Sequence, residues 1–242
     1  MTFQKWILSH STKSISIIMI KNKVQKQKPL SPEAYIKEKA RQLPIVECYI
    51  GTKWDHMGEK TIIVTRQHPQ GHFTMGVYLV DIYCKGLLHS EYFFNLDYDD
   101  YEMMVRRIDM DEDLEKAEYA DAHKLVYGAV DFAEAVGIDS EDSFDITKYI
   151  LDEKKEEIPF TEFGRNGKHY LRADTDEEAD LYIPIIMEAI GTDFTYSIEG
   201  VTDGEVDAAE VPYGDFDFSE LNYDEAEFDR MFEKLDSREP QT

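Results

Sequence analysis

The sequence predicts an α+β fold: an antiparallel sheet built from hairpins, packed against helices, with an acidic C-terminal extension. Three observations predict it. β-rich runs come first and helical runs follow, an order that favours α+β over a doubly wound parallel sheet. A short loop rich in Pro and Gly separates the two longest β-rich runs. One long segment, Ala117–Val136, carries apolar residues at helical spacing.

The elements follow in chain order. Ser31 is a natural N-cap, Pro32 suits the first helical position, and Pro44 stops the helix they open. Ile45–Ile50 reads as a strand. Thr61–Gln67 and Phe73–Cys84 read as a hairpin around His68-Pro69-Gln70-Gly71-His72. Glu91–Leu96 adds a strand, and Asp97–Ile108 a helix. In Ala117–Val136 the stripe is Ala122, Leu125, Val126, Ala129, Ala133 and Val136, with Gly137 placed to end it. Phe144–Leu151 is a short helix. A second hairpin is expected from Ile158–Phe163 and His169–Arg172 around Gly164-Arg165-Asn166-Gly167. Thr175-Asp176-Glu177-Glu178 is a capping box that opens a helix to Ile190.

Three regions are expected. Residues 1–29 form a basic N-terminal extension, with six lysines and no acidic residue. Within it Met19 reads as an ordinary start, so residues 1–18 are expected to lie outside the translated chain. Residues 30–200 form a single α+β domain. Residues 201–242 form an acidic aromatic tail with 14 acidic and 3 basic residues. In that tail Phe228, Met231, Phe232 and Leu235 follow i, i+3, i+4, i+7, the apolar face of an amphipathic helix suited to a partner.

Composition narrows the function. The 242 residues carry 51 acidic and 26 basic side chains, a net charge of -25, and 42% are hydrophobic. That supports a sizeable core, and it argues against a broad basic surface for nucleic acid or for anionic lipid. The apolar run Ile15–Ile20 is too short for a membrane span. Cys48 and Cys84, the two cysteines, sit in apolar strand-like runs and read as buried reduced thiols. A cytoplasmic protein is expected.

Motif tests exclude more than they suggest. Asp109, Asp111 and Asp113 match the start of an EF-hand loop, but Leu114 and Ala120 stand where its Gly and Glu belong. The chain contains no Walker loop, dinucleotide fingerprint, H-E-x-x-H or G-x-S-x-G. His68 and His72 flank one turn, yet zinc needs a third and usually a fourth ligand. No cofactor and no metal is expected. Asp81 stands out: it lies in a strand apolar on both faces, where a carboxylate is costly unless paired and its pKa is pushed up. His123 shares a flank of the long helix with Tyr119 and Tyr127. The candidate catalytic set is Asp81, His123 and Tyr127, with Arg165 and Lys168 as anion contacts. Cys84, three positions after Asp81, faces the other way on a regular strand.

GVYLVDIYCKGL (76–87), AHKLVYGAVDFAEAVGI (122–138), ITKYIL (146–151) and FGRNGKHYL (163–171) resemble, in that order, blocks of a bacterial family of uncharacterised proteins. The resemblance implies a bacterial origin and a single domain over most of residues 30–172, and no activity. This chain differs from some similar proteins in two places. Leu87-Leu88-His89 stands where they carry a Lys-Asp pair, and Ser140–Phe144 stands where they carry Pro-His-x-Asp-Phe.

Two functions are expected. The first is a non-catalytic interaction or regulatory protein that engages a basic protein partner through its acidic surface and tail, with nucleic-acid mimicry as one version. The second is a hydrolase-type enzyme with an Asp81/His123 acid–base site between the sheet and the long helix.

Overall fold

A computed structural model describes residues 30–155, 158–159, 162–199 and 206–208 of the chain. The basic extension 1–29 and Phe228, Met231, Phe232 and Leu235 lie outside the described residues.

The fold is α+β. Helix α1 (Pro32–Lys39) runs into a short 3-10 turn and then strand β1 (Ile45–Gly51). Strands β2 (Glu59–Gln67), β3 (Phe73–Asp81) and β4 (Gly86–Leu96) form a meander. Helix α2 (Tyr98–Glu112) and the short β5 (Leu114–Lys116) follow, then α3 (Tyr119–Glu134) and α4 (Phe144–Thr147). The five strands make one antiparallel sheet in the order β4-β3-β2-β1-β5.

Alternation along the strands builds two cores. Cys48, Ile62, Val64, Tyr78, Val80 and Leu87 point to one face, where α1, α3 and α4 cover them with Ile36, Val126, Ala129 and Phe144. Ile63, Phe73 and Met75 point to the other, where Tyr101 and Val105 of α2 cover them. The apolar stripe expected on α3 is buried, Leu125 partly: Ala122, Val126 and Ala129 join the first of these cores, and Ala133 and Val136 join another cluster with Leu171 and Ile186. Gly137 follows the helix at φ +84°, a conformation that glycine adopts without strain. Close approach also needs glycine inside α3. A Cβ at Gly128 would lie 2.2 Å from the ring of Phe163.

One bulge decides which face β1 presents. Ile45 pairs with Arg66 and Glu47 with Thr65, so Val46 is an extra residue. Ile45 packs with the α3-side core, and so do Cys48 and Ile50. The bulge therefore flips Glu47 and Tyr49 to the α2 side, because a one-residue slip reverses every side chain.

The second half corrects the sequence reading. No hairpin joins Ile158–Phe163 to His169–Arg172 among the described residues; only an isolated bridge, Arg165 to Lys168, survives. Instead β6 (Tyr170–Ala173) crosses over through α5 (Asp176–Ile190) and pairs in parallel with β7 (Thr195–Ile198). Strand β8 (Val206–Asp207) pairs antiparallel with β7, and Ala208 is buried in the core of this small sheet. Residues 206–208, inside the stretch 201–242 expected as tail, thus belong to this small sheet and its core. The cause is non-local: each strand is too short for periodicity to show, and each is held by partners far away in sequence.

Two other limits shift. Strand β3 ends at Asp81 rather than at Cys84, because the Asp81 carboxylate accepts from the amides of Tyr83 (2.6 Å) and Lys85 (3.1 Å) and closes a turn. Helix α2 runs on to Glu112. There Asp109 accepts from Leu114 N at 2.8 Å, so this acidic run finishes a helix and forms no calcium loop. Among the described residues, no helix is long and apolar enough to cross a membrane.

Candidate functional site

Asp81 is 3% exposed. Burial pushes its carboxyl above the usual range; the amides of Tyr83, Lys85 and Cys84 and the charge of Lys85 pull the other way. Lys85 is buried as well, and its Nζ meets Glu178 of α5 at 2.8 Å. Glu178 in turn accepts from Asp174 N at 2.7 Å, next to the Thr175 N-cap. Asp81 thus pins the β3–β4 turn, and Lys85 ties that turn to the second sheet's helix.

His123 and Tyr127 do come together, with ring centroids 4.7 Å apart, and Tyr119 flanks His123 at 5.5 Å. His123 Nε2 lies 3.1 Å from the carbonyl of Asp152, so that nitrogen carries the proton and donates. The Tyr119 hydroxyl accepts from Asp152 N at 2.7 Å. Burial raises the Tyr127 phenol, with Arg41 opposing.

These contacts belong to a larger task. The chain from the end of α4 to Asp152 presents its carbonyls to side chains from elsewhere in the fold. Tyr78 donates to Thr147 O, and Arg41 donates to Lys148 O and Leu151 O. Arg66, 2% exposed, donates to Ile150 O (2.5 Å) and Leu43 O (2.6 Å) and pairs with Asp152 (2.7 Å). His123 completes the set.

Asp81 does not join His123 and Tyr127. Gly86, which opens β4 directly opposite Asp81, packs on Ala129 and Ala133 of α3. These positions are six to ten residues past His123, about 9–15 Å along a helix. Arg165 lies against the Asp81 turn, 5.1 Å over the Tyr83 ring and 3.7 Å over Tyr170, while Lys168 pairs with Asp193 at 2.6 Å.

The thiols and imidazoles are engaged elsewhere. Burial pushes the Cys48 thiol up to about 11 and the Cys84 thiol higher still, so neither is a ready nucleophile. His68 bonds Thr74 and His72 bonds Asn95 O, so they form no pair. Among the described residues, no cluster of three His, Cys, Asp or Glu is placed to hold a metal ion. Leu87-Leu88-His89 and Ser140–Phe144 meet: His89 Nδ1 is 3.2 Å from Glu141. Ser143 donates to Glu141 at 2.6 Å and not to His89, so that hydroxyl has no imidazole base.

Two of the clefts on the described surface bear on these residues and on α2. One, about 470 Å³, lies beside Tyr119 and His123 and is rimmed by Lys124, Lys154 and Lys155. The other, about 420 Å³, lies between α2 and β1, with Glu47, Tyr49, Phe73, Tyr98, Tyr101 and Glu102 in its wall. Sequence reasoning missed the second. Its signals were the i, i+2 spacing of Glu47 and Tyr49 on a strand face and the helical spacing of Tyr98, Tyr101, Glu102 and Val105.

Comparison of the chain with protein-family models, with curated proteins and with solved structures finds no significant match.

Proposed function

We propose that this protein is a cytoplasmic, non-catalytic interaction or regulatory protein that engages a basic protein partner through its acidic surface. One observation carries the reading. Helix α2 ends in Asp109, Asp111 and Glu112, followed by Asp113, with no basic residue in its last turn. Acidic charge at the negative pole of a helix dipole costs stability, as does the mutual repulsion of these groups. Asp109, Asp111 and Asp113 are all exposed, open to a basic surface that relieves both costs. Residues 209–242 add eleven acidic residues of the same sign of charge. The hydrolase reading needs Asp81 and His123 in one site, and their contacts are separate, each used to hold backbone.

The test is affinity capture from the native host by the full chain and by the Asp111→Asn/Glu112→Gln/Glu115→Gln variant, at low and high salt. A basic protein retained by the native chain, released by salt and weakened by the variant is the expected result. A partner that is acidic, or indifferent to both salt and the variant, overturns the reading. Removing residues 209–242 then measures the tail's share; the cut falls after Ala208 so that β8 stays in place.

A further inference from the structure

We propose that the cleft between α2 and β1 binds an arginine side chain of the basic partner. The proposal rests on the reading above and adds the place where the partner's charge is received.

The cleft offers aromatic faces and carboxylates together. Phe73 stacks on Tyr101 at 4.6 Å between centroids, and Tyr98 lies 6.4 Å from Phe73 with 58% of its surface exposed. Glu47 stands on the strand side and Glu102 on the helix side. Glu47 is there only because the Val46 bulge turns it away from the α3-side core. A guanidinium is the cation that uses both kinds of wall: its plane stacks on a phenol ring and its edge forks onto a carboxylate. The same chain already makes the stacking contact, with Arg165 over Tyr170 and Arg41 4.8 Å over Tyr149.

The two carboxylates are exchangeable. Glu47 holds Lys116 at 3.1 Å and Glu102 holds Arg106 at 2.9 Å. Those cations are 65% and 76% exposed, and pairs this open contribute little. An incoming guanidinium displaces them at small cost and gains the aromatic faces they do not use. Burial pulls the Glu47 carboxyl up, but hydrogen bonds from Tyr101 (2.7 Å) and Tyr49 and the Lys116 charge more than offset it. Glu47 is therefore ionised at neutral pH. Asp97, Asp99 and Asp100, all exposed at the start of α2, set the potential around the mouth against anions.

Calorimetric titration of the full chain tests this, with an Arg-Gly repeat octapeptide and its Lys-Gly counterpart as probes in 50 mM salt, roughly the low-salt regime where charge pairing is strongest. The arginine peptide should bind at least about threefold tighter than the lysine peptide, and Tyr98→Ala and Glu102→Gln should each weaken it about fivefold, the size of an exposed cation–π contact. Tyr98 is exposed and Glu102 is half-buried beside an exposed partner, so nearly unchanged melting temperatures should accompany the loss. Full binding by both variants, with the loss appearing instead in Asp111→Asn/Glu112→Gln/Glu115→Gln, overturns the cleft and leaves the basic-partner reading standing. Equal affinity for the two peptides in every variant also overturns it, as diffuse attraction. Absence of binding by either peptide overturns both.

Discussion

The two faces of the five-stranded sheet share the same backbone and are finished in opposite ways. On the α3 side, Ile62, Val64, Tyr78 and Val80 are wholly buried, and the polar atoms that enter are satisfied by bonds across the fold. On the α2 side, Ile63 and Met75 are as deeply buried, but the cover is a single helix, and phenols and carboxylates line an open cleft along its flank. The difference teaches where to look for recognition. Side chains that could do chemistry on the α3 side are spent on backbone, whereas on the α2 side they are held by exposed partners and can be exchanged.

The largest test of that contrast is Arg66→Ala. It removes a buried cation that serves Ile150 O, Leu43 O and Asp152. Urea unfolding should show a loss of about 3–5 kcal/mol, the cost of breaking a buried pair and stranding its acceptors. Next is Gly128→Ala, which drives a Cβ into the Phe163 ring. Overpacking of this kind costs about 1–3 kcal/mol, and Phe163→Leu in the same chain should recover part of it.

The pH dependence of stability should separate the faces in two steps. His169 stacks on Phe132 of α3 at 3.7 Å and donates to its carbonyl. Burial lowers its pKa, so the fold binds fewer protons than the unfolded chain, and this contribution is present above the unfolded value near 6.5 and lost as pH falls through the lower folded one. Glu47, on the α2 side, is also lowered, so its contribution is lost further into acid, below an unfolded value near 4.5. Melting scans of His169→Gln should show a smaller upper step, the rest belonging to buried His68, and those of Glu47→Gln a smaller lower one. The smallest effect is Tyr98→Ala, which should change the unfolding free energy by no more than about 0.5 kcal/mol. A large loss there would make Tyr98 a structural residue and close the gap between the faces.

What was legible in the sequence was local. The β2–β3 hairpin announced itself through Pro69-Gln70-Gly71, α3 through its stripe, and α5 through its Thr175 cap, because each signal lies within a few residues of its effect. The second sheet was hidden because β6 meets β7 only after a helical crossover and β8 is two residues long. Asp81 was correctly marked as a costly carboxylate in a doubly covered strand, but its partners are the amides of the very next turn. Periodicity shows which way a side chain points and not what the backbone does beyond the strand's end. His123 and Tyr127 were rightly placed together, four residues apart on a helix. The acceptor of His123, at Asp152, was beyond any local rule. The α2–β1 cleft joins residues from three separated stretches, and it depends on a bulge that no alternation pattern reveals.

The carbonyls that follow α4 have a consequence for the order of assembly. Arg41 reaches Leu151 across 110 positions, and Arg66 reaches Ile150 across 84. Until that stretch is present, Arg66 of β2 keeps the Leu43 carbonyl but lacks Ile150 O and Asp152, and Arg41 lacks both of its carbonyl acceptors; closing so long a loop is entropically expensive. A chain emerging from the ribosome can therefore pair its strands early, but it cannot seal the α3 side of the sheet until about residue 152 has been made. That stretch brings part of the core with it: Ile150 and Leu151 are wholly buried, and their carbonyls receive the two cations.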